Sequence, residues 1–372
     1  MKTIDSFVAD RIAGISTSGI RRIFDLAATM KDPIDFSMGQ PDFPVPDATK
    51  AAAHAAIDAD QNGYTVTYGL VELRDKIKAS LAREFDWDPT VFATCGVSGG
   101  LNLAMIAICN PGDEVLIPDP YFVSYPMHVE LAGGRAVPVD TSPGFEMTAD
   151  LVEAALTPKT KAILLNSPCN PTGVIYSEEN VKAICELARK KDLLIISDEI
   201  YNLLSFDAKP ASPVTFAPER TILLRGFGKS YGMTGWRMGF AAGPEAIISQ
   251  MAKVQQYTFV CAPHPFQRAC IAALDEDMSQ VIVNYRNKRD MSLKIMSERF
   301  ECARPGGGFF LYCKPPSKFK SGMEFVEAAI KKNVLVVPGQ AFSKHNTHFR
   351  ISYAVPDAKL IEGCKILHEL AG

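Results

Sequence analysis

Between about residues 47 and 240, amphipathic helical stretches alternate with short apolar runs that end in Pro, Asp, Asn or Gly. Few architectures accept that rhythm: it is the pattern of an α/β domain in which helices cover a sheet. The spacing predicts helices over Asp47–Asp60, Val71–Phe85, Leu101–Cys109 and Glu178–Lys191. Predicted strands are Glu114–Ile117, Ala162–Leu165, Leu193–Ser197, Thr221–Leu224 and Met238–Ala241. Several of these are apolar throughout, which implies burial on both faces and hence a largely parallel sheet. After Pro263 the pattern changes to polar helix around Met278–Phe300, strand Phe309–Cys313, helix Met323–Lys331, strands Val334–Val337 and Phe349–Tyr353, and a last helix from Pro356. We expect a large α/β domain over residues 47–275. Residues 276–372 should form a smaller α+β domain, joined by the N-terminal segment 1–46, which is too poor in strands to enter the sheet.

The chain has 372 residues, 47% hydrophobic and 22% charged, enough to bury a large core and fill more than one domain. Its net charge of −3 and the even spread of its 39 Lys and Arg leave no electrostatic footprint for nucleic acid or an anionic membrane. No uncharged apolar run reaches the roughly 18 residues of a membrane span, and the first residues have no signal-peptide core. The expectation is a soluble cytoplasmic protein whose partners are small molecules and further copies of itself. The nine cysteines (Cys95, Cys109, Cys169, Cys185, Cys261, Cys270, Cys302, Cys313 and Cys364) are odd in number and include no C-x-x-C pair. They are expected to be buried thiols in a reducing compartment, and no metal site is expected.

In parallel sheets, function gathers at the carboxyl ends of strands. Here AILLN leads into SPCNPTG (Ser167–Gly173), LLIIS into DEIY (Asp198–Tyr201), and TILL into RGFGKSYGMTGWRMG (Arg225–Gly239). Asp198 starts at the edge of an apolar core, where an ionised carboxylate needs a cation or several donors. A helix cap or structural ion pair is its simpler role, a site carboxylate the other. Lys229, between Gly228 and Ser230, invites comparison with a phosphate loop, but the glycine such a loop needs is Leu223 here. Set among glycines, with Asp198 at the previous strand end and Arg237 downstream, Lys229 is better explained as a nucleophilic amine of lowered pKa than as a solvated surface group. Arg237 follows Trp236 and precedes an apolar strand, so its guanidinium is expected to be partly buried. It suits a phosphate or carboxylate, or a stack on Trp236. Gly96–Gly100 read as a glycine turn into a helix N-terminus, a place for an anion, although many such turns hold none.

Taken together, SMGQPDF (Ser37–Phe43), YTVTYGLVELR (Tyr64–Arg74), VSGGLNLA (Val97–Ala104), PDPYFVSY (Pro118–Tyr125), NSPCNPTG, SDEIY, GFGKSYGMTGWRMGF and FRISYA (Phe349–Ala354) resemble the class I and II aminotransferases of fold type I. The resemblance runs over nearly the whole chain and points to the bacterial and archaeal branch that holds aspartate and aromatic amino-acid aminotransferases. It implies a mostly parallel seven-stranded sheet sandwiched by helices, a smaller α+β domain, and pyridoxal 5′-phosphate as cofactor. Lys229 would then carry the cofactor as a Schiff base, Asp198 would bind its protonated pyridine nitrogen, and Tyr201 and Asn170 its O3′. Arg237 and the amides of Leu101 and Asn102, with Gly100 permitting close approach, would hold the phosphate, and Phe122 would stack on the ring. Tyr64 would reach the phosphate from the partner subunit of a homodimer. Gly39, Asn170 and Arg350 would hold the substrate carboxylate. For Phe122 and Tyr64, ordinary core packing is the alternative. Gly226 stands where many relatives carry a phosphate-binding Ser, so one contact is expected to be absent or taken over by Ser230 or a water.

The implied activity is transfer of an amino group from an amino acid, aromatic or otherwise neutral, to a 2-oxo acid such as 2-oxoglutarate, with ping-pong kinetics. Neutral donors are expected because Asn102 stands where some aspartate-specific relatives place a lysine, and because Ile12, Ile15 and Ile20 offer apolar cover, with Arg21 and Arg22 beside them. Two alternatives belong beside this one. A C–S lyase would use the same fold and cofactor, since neither fixes the fate of the substrate once its Cα proton is removed. A non-catalytic regulator would have no use for the acid–base set of Lys229, Asp198 and Tyr201.

Overall fold

The computed structural model of the chain describes residues 3–13 and 30–372. The first strand, β1 (Ile34–Asp35), lies outside the main sheet. Then come β2 (Thr90–Thr94), β3 (Glu114–Asp119), β4 (Arg135–Asp140), β5 (Thr160–Asn166), β6 (Leu194–Asp198), β7 (Thr221–Gly226) and β8 (Gly239–Gly243). These seven form one sheet in the order β2-β8-β7-β6-β5-β3-β4. The pairs from β7 through β4 are parallel, and β8 runs antiparallel to both β7 and β2. The fold is therefore α/β with a mostly parallel sheet, as expected.

Local sequence accounts for the helices around it. Helix Val71–Phe85 matches its predicted span and buries Leu73, Ile77 and Leu81, four residues apart on one face. Helix Glu178–Lys190 opens on a Ser177 cap that accepts from the Asn180 amide and has acids in its first turn. Its last turn holds Arg189 and Lys190, so both ends suit the helix dipole. Two strands of this sheet escaped the periodicity, β2 and β4, and they are its two edges. β4 is half exposed and contains Pro138, which an edge tolerates because one side of its backbone pairs with nothing.

A second sheet of four strands combines β9 (Glu301–Cys302), β10 (Phe310–Lys314), β12 (Val337–Pro338) and β13 (Phe349–Ser352), while β11 (Val334–Leu335) pairs in parallel with β1. Helices Ser279–Met296, Gly322–Ile330 and Asp357–Ala371 pack on this part around a core that includes Phe309, Phe325 and Phe349. The predicted strand Val334–Val337 is thus two short strands in different sheets.

The cysteine expectation needs correction. β9 and β10 pair in a register that sets Cys302 opposite Cys313, with Cα atoms 4.2 Å apart, and the two form a disulfide. Cys95, Cys109 and Cys261 are thiols but only partly buried. Strand register brings together residues that sequence spacing keeps separate. No described helix is long and apolar enough to cross a membrane.

Candidate active site

Two cavities flank the carboxyl ends of β6 and β7. The larger, about 780 Å³, is lined by Glu84, Glu199 and Arg225, whose charges are already paired. The smaller, about 320 Å³, is where Gly39, Asn170, Asp198, Tyr201, Lys229 and Arg350 converge. Phe122 and Leu101 add apolar wall. Chemistry is to be sought in the second, because its polar groups are left open.

Asp198 ends β6 and is 2% exposed. Its Oδ2 accepts from the Tyr125 hydroxyl at 2.8 Å and its Oδ1 from the Ile200 amide at 3.1 Å. Burial pushes its carboxyl up to about 6, against the pull of those two donors. A buried acid with donors but, among the described residues, no cation is neither a helix cap nor half of an ion pair. Tyr201 reaches the same cavity through a turn, closed by the Asn202 amide on the Glu199 carbonyl at 3.0 Å, and not through a helix start. It is buried edge-on against Phe309 and Phe310.

Lys229 lies in the short helix Phe227–Ser230 that follows β7 directly. Its Nζ donates to the Gly39 carbonyl. Burial, with the charges of Arg350 and Arg237 nearby, draws its pKa down to about 8, so a useful fraction of the amine is neutral near that pH.

Arg350, on β13, is 2% exposed and lies between the rings of Phe310 and Phe342, 4.4 and 4.6 Å from their centroids. Nη1 donates to Asn170 Oδ1 at 3.0 Å and Nη2 to the Ser37 carbonyl at 2.8 Å, while Nε is buried without a partner among the described residues. Burial draws its pKa down to about 10. Among the described residues this guanidinium has no carboxylate to neutralise it, which makes it a receptor for one.

Three expectations shift at the anion end. The helix predicted from Leu101 begins at Gly96, so the glycines form its first turn instead of a turn before it. Close packing is the reason: a Cβ on Gly100 would come 3.0 Å from Leu224, and the backbone at Gly96 lies against Gly239. Amides without an intrahelical acceptor are therefore those of Val97, Ser98 and Gly99, and those of Leu101 and Asn102 lie a turn too deep. Arg237 is exposed, not partly buried, with Nη1 on the Thr234 carbonyl at 3.0 Å. Its guanidinium lies over Gly96, 2.9 Å from where a Cβ would stand, and so covers the same helix start. The Ser230 hydroxyl, offered as a substitute phosphate ligand, is on the wrong side: it is buried, unpartnered, and its residue lines the larger cavity. The Cβ of a Ser at 226 would meet the side-chain methyls of Ile200 and Val97 within 3 Å, so those side chains would have to shift to admit it.

Tyr64 is 85% exposed and does not line the cavity of its own chain. Ser98, Tyr125 and Asn166 do line it and were not anticipated. Each lies inside one of the motifs named above, but nothing local distinguishes it from its neighbours.

The family profile described as aminotransferase class I and II matches residues 31–367. The chain belongs to the class I and II aminotransferases. It is 35% identical to an aspartate aminotransferase of Pyrococcus abyssi, with 97% of this chain and 98% of that protein covered. It is 34% identical to aromatic-amino-acid aminotransferase 2 of Thermococcus litoralis, covering 95% and 96%. Among solved structures, the aspartate aminotransferase of Thermus thermophilus with maleate superposes with a TM-score of 0.94 at 32% identity over 100% of both chains. This aminotransferase is thus a fold type I enzyme that transfers amino groups.

Proposed function

We propose that this aminotransferase uses pyridoxal 5′-phosphate, held by the residues of the smaller cavity, to move the amino group of a neutral amino acid to a 2-oxo acid such as 2-oxoglutarate. The observation that carries the reading is the buried Asp198 carboxylate, which among the described residues lacks a cation and shares its cavity with an amine of lowered pKa and a guanidinium that no described carboxylate compensates. A protonated pyridine nitrogen supplies the missing cation, and the helix start at Gly96 with Arg237 over it fits a phosphate. When bound, the cofactor supplies the electron sink for the charge released at the substrate's Cα.

The chain's residues do the rest. Arg350 receives the α-carboxylate on its free Nε edge, held in place by Asn170 and Ser37. Lys229 would anchor the cofactor, and once displaced by substrate its amine would take the Cα proton and return it to the cofactor's C4′, acting as general base and then acid from one side. Tyr201 and Asn170 hold the ring oxygen, and Phe122 covers the ring. Two half-reactions share one site, so the kinetics are ping-pong. Exposed Tyr64 and its apolar neighbours Val66 and Ile57 support a homodimer in which each copy completes the other's site. The working location is the cytoplasm. The division into residues 47–275 and 1–46 with 276–372 is supported by the pairing of β1 with β11 and by the confinement of the seven-stranded sheet to residues 90–243.

Neutral donors are favoured because the cations lining the cavity among the described residues, Lys229 and Arg350, already have roles. Asn102 does not line it, Ile12 is exposed, and Ile15, Ile20, Arg21 and Arg22 lie outside the described residues. Burying a large apolar side chain is worth roughly 1.5–3 kcal/mol, enough to rank donors. The test is kcat/KM for phenylalanine, leucine, alanine and aspartate at fixed acceptor. Phenylalanine or leucine should lead; a clear win for aspartate refutes the donor preference.

A further inference from the structure

Asn166 is the last residue of β5 and lies in register with Asp198 at the end of β6. Its side chain is 1% exposed and uses both ends of its amide. Nδ2 donates to the backbone carbonyl of Asp198 at 2.9 Å, and Oδ1 accepts from the amide of Asn170 at 2.9 Å. Asn170 then accepts from Arg350 Nη1 at 3.0 Å. One side chain therefore touches the strand end that carries the buried carboxylate and the loop that orients the guanidinium.

We propose that Asn166 is a positioning residue that sets the two ends of the active site against each other, fixing Asp198 on one side and, through Asn170, Arg350 on the other. The inference rests on the reading that Asp198 meets the cofactor's ring nitrogen and Arg350 the substrate carboxylate. The residue type suits that role. A carboxamide of this size offers a donor and an acceptor side by side. Aspartate has the same shape and keeps the acceptor toward Asn170, but sets an oxygen against the Asp198 carbonyl and adds negative charge beside a carboxylate already deprived of a cation. Alanine leaves a buried carbonyl and a buried amide without their partner. Tyr125 provides a contrast, since its hydroxyl touches the Asp198 carboxylate alone.

Three variants separate the two ends: Asn166→Ala loses both, Asn166→Asp loses the Asp198 side, and Tyr125→Phe perturbs Asp198 only. Cofactor-free protein is titrated with pyridoxal 5′-phosphate by intrinsic fluorescence. Protein saturated with the cofactor is then titrated with 3-phenylpropionate and with succinate, which lack an amino group and cannot react, by the absorbance of the bound cofactor. Asn166→Ala should weaken both affinities roughly tenfold or more, as expected for a buried hydrogen bond lost at each end. Asn166→Asp and Tyr125→Phe should weaken cofactor binding and leave carboxylate binding within about threefold of wild type. The proposal is overturned if Asn166→Ala weakens neither affinity or only one, or if Asn166→Asp weakens both alike. Should Asn166→Ala not fold, the isosteric Asn166→Asp decides alone by the same split. A wild-type protein that does not bind the cofactor removes the underlying reading and this proposal with it; a wild type that binds normally beside unaffected Asn166 variants removes the proposal only.

Discussion

Asp198 and Glu199 are neighbours in the chain and almost equally buried, yet they line different cavities. Glu199 is closed on every side. Its Oε2 accepts from Arg225 Nε at 3.0 Å and Nη2 at 2.8 Å, and its Oε1 from the hydroxyls of Ser197 at 2.9 Å and Ser212 at 2.6 Å. The rest of the Arg225 fork rests on Glu84. Among the described residues Asp198 has one tyrosine hydroxyl and one backbone amide, and no cation. The pair teaches that burial of a carboxylate does not mark a functional site. What distinguishes Asp198 is that its incomplete polar environment opens on a cavity shared with Lys229 and Arg350. Lys229 and Ser230 repeat the contrast one strand further on, the first lining the open cavity and the second its larger neighbour.

The largest expected effect is at Lys229. Lys229→Ala should abolish transamination, a loss beyond the roughly 10²–10⁴ of general acid–base catalysis because anchor and proton carrier go together. Near-wild-type turnover in a steady-state assay would erase the distinction between the two cavities.

On the closed side, Arg225→Met should cost about 3–5 kcal/mol of stability, since it leaves Glu199 buried without its cation and half-buried Glu84 with Lys209 alone. Urea unfolding measures this, and a loss under about 1 kcal/mol would mean that the triad is not structural.

Asp198 should show its incompleteness as a pH effect in the cofactor-free protein. Its folded pKa of about 6 lies above the ordinary 3.8, so the folded state holds this proton more tightly than the unfolded one. The cost of burial is absent below the lower value, grows as pH rises between the two, and is fully present above about 6, amounting to roughly 3 kcal/mol. Asp198→Asn removes it, so the variant should gain stability relative to wild type as pH rises from about 4 to about 7. Parallel curves would show that Asp198 is not desolvated.

The smallest effect belongs to Ser230→Ala. An unpartnered hydroxyl has no hydrogen bond to lose, so stability should stay within about 1 kcal/mol and the cofactor's affinity should not move. A marked fall in that affinity would place the hydroxyl back at the phosphate.

The sequence by itself determined the rhythm of the large sheet, the strand ends that border the cavities, and the motifs whose Lys229, Asp198, Asn170, Tyr201 and Arg350 converge on the smaller one, because periodicity, strand termination and motif are carried by neighbours along the chain. Tertiary structure alone decided the sheet's edges, of which β4 loses its apolar signal to exposure and Pro138 while β2 is a short buried run, and the start of the helix at Gly96, where packing against β7 and β8 outweighs the low helix propensity of glycine. It also decided that Cys302 meets Cys313, that Arg237 lies exposed over a helix start, and that Tyr125 and Asn166 face Asp198. These are meetings of residues from different strands and loops. Their partners are fixed by register and by which side of the sheet a side chain leaves from, and neither is written in any single stretch of sequence.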